Sequence, residues 1–119
     1  MKVKTTLLLT GSLCLALSGI APAQAQQFDE EAAKALFKKN GCTKCHAPDK
    51  NKKGPSLKKM AQFYKDPKNA KGDPEKEAIK HMTSGMKVKL EDGTEDDHKI
   101  IDTKDPKELS NVARYILAQ

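Results

Sequence analysis

The sequence predicts an all-α domain of three to five short helices, and three features carry that expectation. Apolar residues recur at helical spacing in four stretches, helix caps and stops stand at the ends of those stretches, and neither period-2 alternation nor an internal repeat is read anywhere. At 119 residues the chain fits one domain. That domain is short of core material, with 37% hydrophobic residues, 32% charged residues, 3 Phe, 2 Tyr and no Trp. A fold this small and polar needs a staple, whether a disulfide, a metal or a cofactor.

Residues 1–25 read as a secretory signal peptide that is removed. Lys2 and Lys4 supply the positive start, Leu7 to Ile20 the apolar stretch, and Ala23-Gln24-Ala25 the small-residue cleavage site. The apolar stretch falls short of the ~20 residues that span a bilayer, so stable membrane insertion is not expected. Cys14 lies inside it, with apolar residues continuing beyond, and is read as lost with the leader. The remaining domain, residues 26–119, keeps two cysteines, Cys42 and Cys45, and 20 basic against 16 acidic residues, a net charge of +4. This is expected to be an exported, periplasmic protein rather than a cytosolic enzyme.

The first helix is predicted from Glu30 to Asn40. Asp29 caps it, Glu30 and Glu31 occupy its first turn, Lys38 and Lys39 its last, and Gly41 stops it, each charge favouring the helix dipole. Ala33, Leu36 and Phe37 form its apolar stripe. Residues 47–56 read as loop. A second helix is predicted over Ser56 to Tyr64, burying Leu57, Met60 and either Phe63 or Tyr64. A third covers Pro74 to Thr83 with Ala78, Ile79 and Met82 inward. Residues 84–104 read as irregular. The last helix has the clearest start, with Asp105 as cap, Pro106 first and Glu108 third in a capping box. Its stripe is Leu109, Val112, Ala113, Ile116 and Leu117.

The chemistry sits in Cys42-Thr43-Lys44-Cys45-His46. Cys-x-x-Cys-His is the attachment sequence for a c-type haem. Two thiols one turn apart reach two vinyl groups of one porphyrin, and the adjacent His donates an imidazole nitrogen to the iron. The porphyrin would also supply the apolar surface that this core lacks. Two other readings use the same residues. A Cys42–Cys45 disulfide belongs with a βαβ context, and none is visible. A zinc site built on Cys42, Cys45, His46 and a further His is chemically possible, but exported thiols without haem tend to oxidise.

On these residues the chain resembles the class I c-type cytochromes, in particular the small bacterial monohaem carriers of the c-551/c-552 kind. Phe37, Gly54-Pro55 and Tyr115 fall where that family has matching residues. The resemblance covers nearly all of residues 26–119. It implies first and last helices that cross and pack together around one covalently bound haem. It also implies that the Pro55 carbonyl accepts a hydrogen bond from the ring of His46, the proximal ligand.

Family members usually place a Met-Pro pair in the loop before the last helix, and this chain has none. Met60 and Met82 lie on core stripes, and His81 reads as a solvated flank residue. His98 precedes Tyr115 by 17 residues, about the family's spacing between ligand and aromatic, whereas Met86 precedes it by 29. His98 is therefore the expected distal ligand and Met86 the second choice. Two imidazoles imply a lower potential than a Met/His pair, because thioether favours ferrous iron.

Positive charge is segregated. Ten lysines between Lys34 and Lys65 face a single acid, Asp49, while five of the seven residues from Glu91 to Asp97 are acidic. Lysines flanking the haem edge would steer acidic redox partner proteins. Nucleic acid is not an expected partner, since no aromatics interleave with the lysines. The resemblance thus implies a monomeric, non-enzymatic, one-electron shuttle between larger redox proteins, in iron oxidation or another respiratory chain. The alternative is a haem protein with an open sixth position that binds gas or acts on peroxide.

Overall fold

Four helices make up most of the structure: α1 (Glu30–Lys39), α2 (Leu57–Lys65), α3 (Pro74–Thr83) and α4 (Pro106–Leu117). A 3₁₀ turn at Cys42–Lys44 follows α1, and a two-stranded hairpin, β1 (Lys87–Lys89) and β2 (Glu95–Asp97), lies between α3 and α4. This computed structural model describes residues 27–119; the leader expected over residues 1–25, with Cys14, lies outside them.

Every helix starts at a side-chain cap. Asp29 accepts from the Ala32 N–H, Ser56 from Lys59, Asp73 from Glu75 and Lys76, and Asp105 from Lys107. Caps of this kind stabilise a helix by about 1 kcal/mol each. Pro74 and Pro106 occupy first-turn positions, where a missing N–H costs nothing. The expected box on α4 is modified. Thr103 Oγ1 donates to Glu108 and accepts the Asp105 N–H, so the threonine hydroxyl relays the contact that Glu108 was expected to make directly.

The amphipathic stripe of α4 is the centre of the core. This helix packs against α1, α2 and α3. Val112, Ala113 and Ile116 are buried with Ala33 and Phe37 of α1, Leu57 and Tyr64 of α2, and Ala78 and Met82 of α3. Of the two aromatic candidates on α2, Tyr64 is inside and Phe63 exposed, while Met60 packs at the core margin. Glu75 ties α3 to α4, accepting from Arg114 Nε at 3.0 Å and from the Ser110 hydroxyl.

The hairpin corrects the reading of residues 84–104 as irregular. Lys87 pairs with Asp97, Val88 with Asp96 and Lys89 with Glu95. Gly93, at φ 87°, makes the turn, with the Leu90 N–H donating to the Thr94 carbonyl at 2.8 Å. Its signal was present in the chain. Met86, Val88 and Leu90 alternate with Lys87 and Lys89 ahead of Asp92-Gly93, a period-2 pattern leading into a hairpin turn. The acidic composition of the return strand masks it.

Ala33 and Ala113 are both fully buried on helices that pack together, which leaves little room for a larger side chain. Ala113→Leu should therefore cost about 1–3 kcal/mol by overpacking, measured by guanidinium unfolding of the mature protein.

Candidate metal centre

Gly41 ends α1 in the left-handed region, at φ 70°, a conformation only glycine adopts cheaply. The chain then tightens into the 3₁₀ turn, with the Cys45 and His46 N–H groups donating to the Cys42 carbonyl at 3.2 and 3.0 Å. Cys42 and Cys45 are both half-buried free thiols. Burial pushes the Cys42 thiol pKa up, and the Lys99 ammonium opposes that shift.

His46 is held from two sides. Its Nδ1 donates to the Pro55 carbonyl at 2.7 Å. A carbonyl can only accept, so the proton sits on Nδ1 and Nε2 keeps a free lone pair. Gly54 lies against the ring, where an added Cβ would come within 2.8 Å of Cε1. The loop carrying both residues is braced by the Gly54 N–H on the Cys45 carbonyl and by Asn51 Oδ1, which accepts the Ser56 N–H at 2.9 Å. Burial lowers the pKa of His46, the Pro55 bond opposes that, and the neighbouring His98 adds to the lowering.

His98 arrives from the root of the hairpin. Its N–H donates to the Met86 carbonyl at 2.8 Å, one step beyond the Lys87–Asp97 pair. Three residues on, the Ile101 N–H donates to the Met82 carbonyl, and the Asp102 N–H donates to Asn40 Oδ1 at 2.7 Å. Gly85, at φ 60°, permits the turn beneath Ile100, whose side chain would lie 3.1 Å from an added Cβ. The two distal candidates of the sequence, His98 and Met86, are thus cross-strand neighbours. The ring centroids of His46 and His98 lie 6.3 Å apart, and His98 Nδ1 is buried with no hydrogen-bond partner.

That spacing fits one metal ion between two imidazoles. A nitrogen–metal distance of about 2 Å on each side, with the radius of each five-membered ring, accounts for it. Among the described residues, no group of three or more His, Cys, Asp or Glu side chains gathers to hold an ion. A zinc cage of four such donors has no donor set here. Two opposed imidazoles instead suit an ion whose remaining positions are filled by a planar macrocycle, which two nearby thiols could anchor.

Comparison with known proteins agrees with this geometry. The family described as Cytochrome c matches residues 30–119. The chain belongs to the cytochrome c family. A crystal structure of the Class 1 cytochrome MtoD from Sideroxydans lithotrophicus ES-1 superposes on the cytochrome with a TM-score of 0.67 at 43% identity, covering 77% of this chain and 97% of that one. No curated protein matches the sequence. The class I fold is therefore established, mostly helical with one small hairpin, and with it a covalently bound haem c as the cofactor, for which Cys42-x-x-Cys45-His46 fits the attachment motif.

Sequence reasoning missed several residues around this centre. Buried Asn40 was read only as the end of α1. Its Nδ2 donates to the Leu36 carbonyl and its Oδ1 accepts from the Asp102 N–H, joining the end of α1 to the segment after His98. No local pattern announces that partner. His81, expected to be solvated, is half-buried with its ring 5.4 Å from Tyr64, and burial lowers its pKa. Lys99 and Lys44 both come within 3.8 Å of a Cβ placed on Gly41, and Lys52 Nζ donates to the Thr43 carbonyl at 2.7 Å. Three lysines from three segments thus gather on one turn of the cytochrome.

Replacing Asn40 with Ala removes a buried amide and both of its hydrogen bonds, the one to the Leu36 carbonyl and the one from the Asp102 N–H. The variant should lose about 1–3 kcal/mol in a guanidinium titration, while its absorption spectrum keeps the wild-type band positions.

Proposed function

We propose that this cytochrome is an exported, monomeric carrier that passes single electrons between larger redox proteins, with its haem iron held by two imidazoles. Cys42 and Cys45 are the thioether anchors, His46 the proximal ligand and His98 the distal one. The single observation that carries this reading is the 6.3 Å separation of the two histidine rings, with His46 Nδ1 already engaged by Pro55. The bound haem supplies a one-electron change between ferric and ferrous iron. The chain orients the imidazoles, withholds water from them and presents charge to partners.

Pro55 and Gly54 keep the His46 ring in one orientation and one tautomer, so the ligand field changes little when the iron changes oxidation state. With His46 and His98 both given to the iron, no coordination position would remain for peroxide or a gas, which argues against the open-site alternative. A pair of imidazoles sets the potential below that of Met-ligated relatives. Removal of the leader at residues 1–25 would deliver the domain to the periplasm, where haem is attached to exported thiols. Lys44, Lys52 and Lys99 surround the attachment turn, a placement suited to docking an acidic redox partner.

Three measurements test this. The ferric protein should lack the weak far-red band of iron–thioether ligation, and the reduced protein should bind carbon monoxide slowly; the band, or prompt binding, would overturn the ligand assignment. Oxidation by hexacyanoferrate(III), a small anionic probe, should slow as salt rises. Lys99→Glu should slow it about tenfold at low salt and about twofold at 0.5 M salt, because screening removes the attraction. A salt-independent rate would refute steering by these lysines.

A further inference from the structure

The β1–β2 hairpin is tethered at both ends to the segments that carry the two histidines. At its root the His98 N–H binds the Met86 carbonyl at 2.8 Å. At its tip the Glu91 N–H donates to the Lys53 carbonyl at 3.0 Å, immediately before Gly54 and Pro55. Glu91 also pairs with Lys59 at 3.6 Å, but both side chains are too exposed for that pair to hold much. One continuous backbone path therefore runs from His98 through the hairpin to the loop whose Pro55 carbonyl orients His46.

The faces of the hairpin differ. Met86, Val88 and Leu90 share one side of β1 and are all half-buried, whereas Lys87 and Lys89 on the other side are exposed. As the cross-strand neighbour of Met86, His98 emerges on the same side as these three, and so does Asp96 opposite Val88, exposed at the outer edge of the face, so the apolar part is the β1 strip. None of the three belongs to the buried core or packs against it. An apolar strip beside the distal imidazole, without a core to cover, is placed to cover the cofactor that this imidazole meets.

We propose that the hairpin is a clasp over the haem: its root positions His98, its Met86–Val88–Leu90 face shields the macrocycle, and its tip, latched at Lys53, keeps small ligands from the distal position. The clasp rests on the two-imidazole reading given above. Displacement of His98 by an outside ligand requires the root to yield, and the root yields less often while the tip is held. Met86, Val88 and Leu90 are positioning and shielding residues, and they take no part in ligation.

The test uses the mature, haem-loaded protein. One variant replaces residues 88–96 with Asn-Gly, a two-residue hairpin turn that keeps the Lys87–Asp97 pair and removes both latch and apolar face. A second, Val88→Thr with Leu90→Asn, keeps the backbone and makes the inner face polar, so the test survives if the shortened hairpin fails to mature. A control, Lys87→Ala, removes only the exposed pair with Asp97. Carbon monoxide association with the reduced protein and hydrogen exchange at the His98 amide should each rise about fivefold or more in both hairpin variants. They should stay within about twofold of wild type in the control.

A folded variant with wild-type rates in both measurements overturns the clasp while leaving the ligand assignment intact. A wild-type protein that binds carbon monoxide promptly or shows the thioether band overturns the ligand assignment, and the clasp with it.

Discussion

The hydrogen bond from His46 Nδ1 to the Pro55 carbonyl, 2.7 Å long, is the constraint on which the centre depends. It decides which nitrogen carries the proton, and so which nitrogen is free to meet a metal. Its geometry requires the loop between His46 and α2 to double back, and that requirement explains several other residues. Gly54 is there because a Cβ would strike the ring. Asn51 bridges to His46 by backbone and accepts the Ser56 N–H by side chain. The Leu57 N–H closes the loop on the Ala47 carbonyl, which sets the start of α2 and places Leu57 in the core. A ligand orientation at one end of the loop thus becomes a helix position at the other.

A protein with so little apolar material must arrange it around a few strong features. Here α4 supplies more of the core than any other helix, and the small buried residues Ala33, Ala61, Ala78 and Ala113 let the helices approach closely. The haem c that the family carries is anchored covalently and adds an apolar surface the chain does not itself supply. The two imidazoles are held outside the helices, His46 by the Pro55 loop and His98 by the root of the hairpin, so the spacing of the centre depends on how those segments are tied to the helical core.

Charge is organised on the same plan. The attachment turn is short and free of acids, so its own Lys44, Lys52 of the following loop and Lys99 of the segment after the hairpin can converge on it. Burial pushes the Cys42 thiol pKa up, and the nearby Lys99 ammonium opposes that shift. Three acidic residues, Glu95, Asp96 and Asp97, make up the return strand of the hairpin, and Lys99 follows two residues later.

What the sequence alone determined is whatever local spacing can encode. The helix limits of α3 and the start of α4, the caps at Asp29 and Asp105, and the attachment motif at residues 42–46 are written in contiguous residues and were legible for that reason. His98 was reached only through resemblance, because one loop histidine has no periodicity to mark it. Tertiary structure decided that Met86 and His98 stand side by side, that Asn40 is spent on Asp102, that His81 lies against Tyr64, and that Tyr64 rather than Phe63 faces inward. The alternation at Met86, Val88 and Leu90 could have been read, but three-residue strands beside an acidic turn give a weaker signal than helical stripes three times as long. Long-range contacts depend on which segments meet, and a linear pattern records only what each segment can do alone.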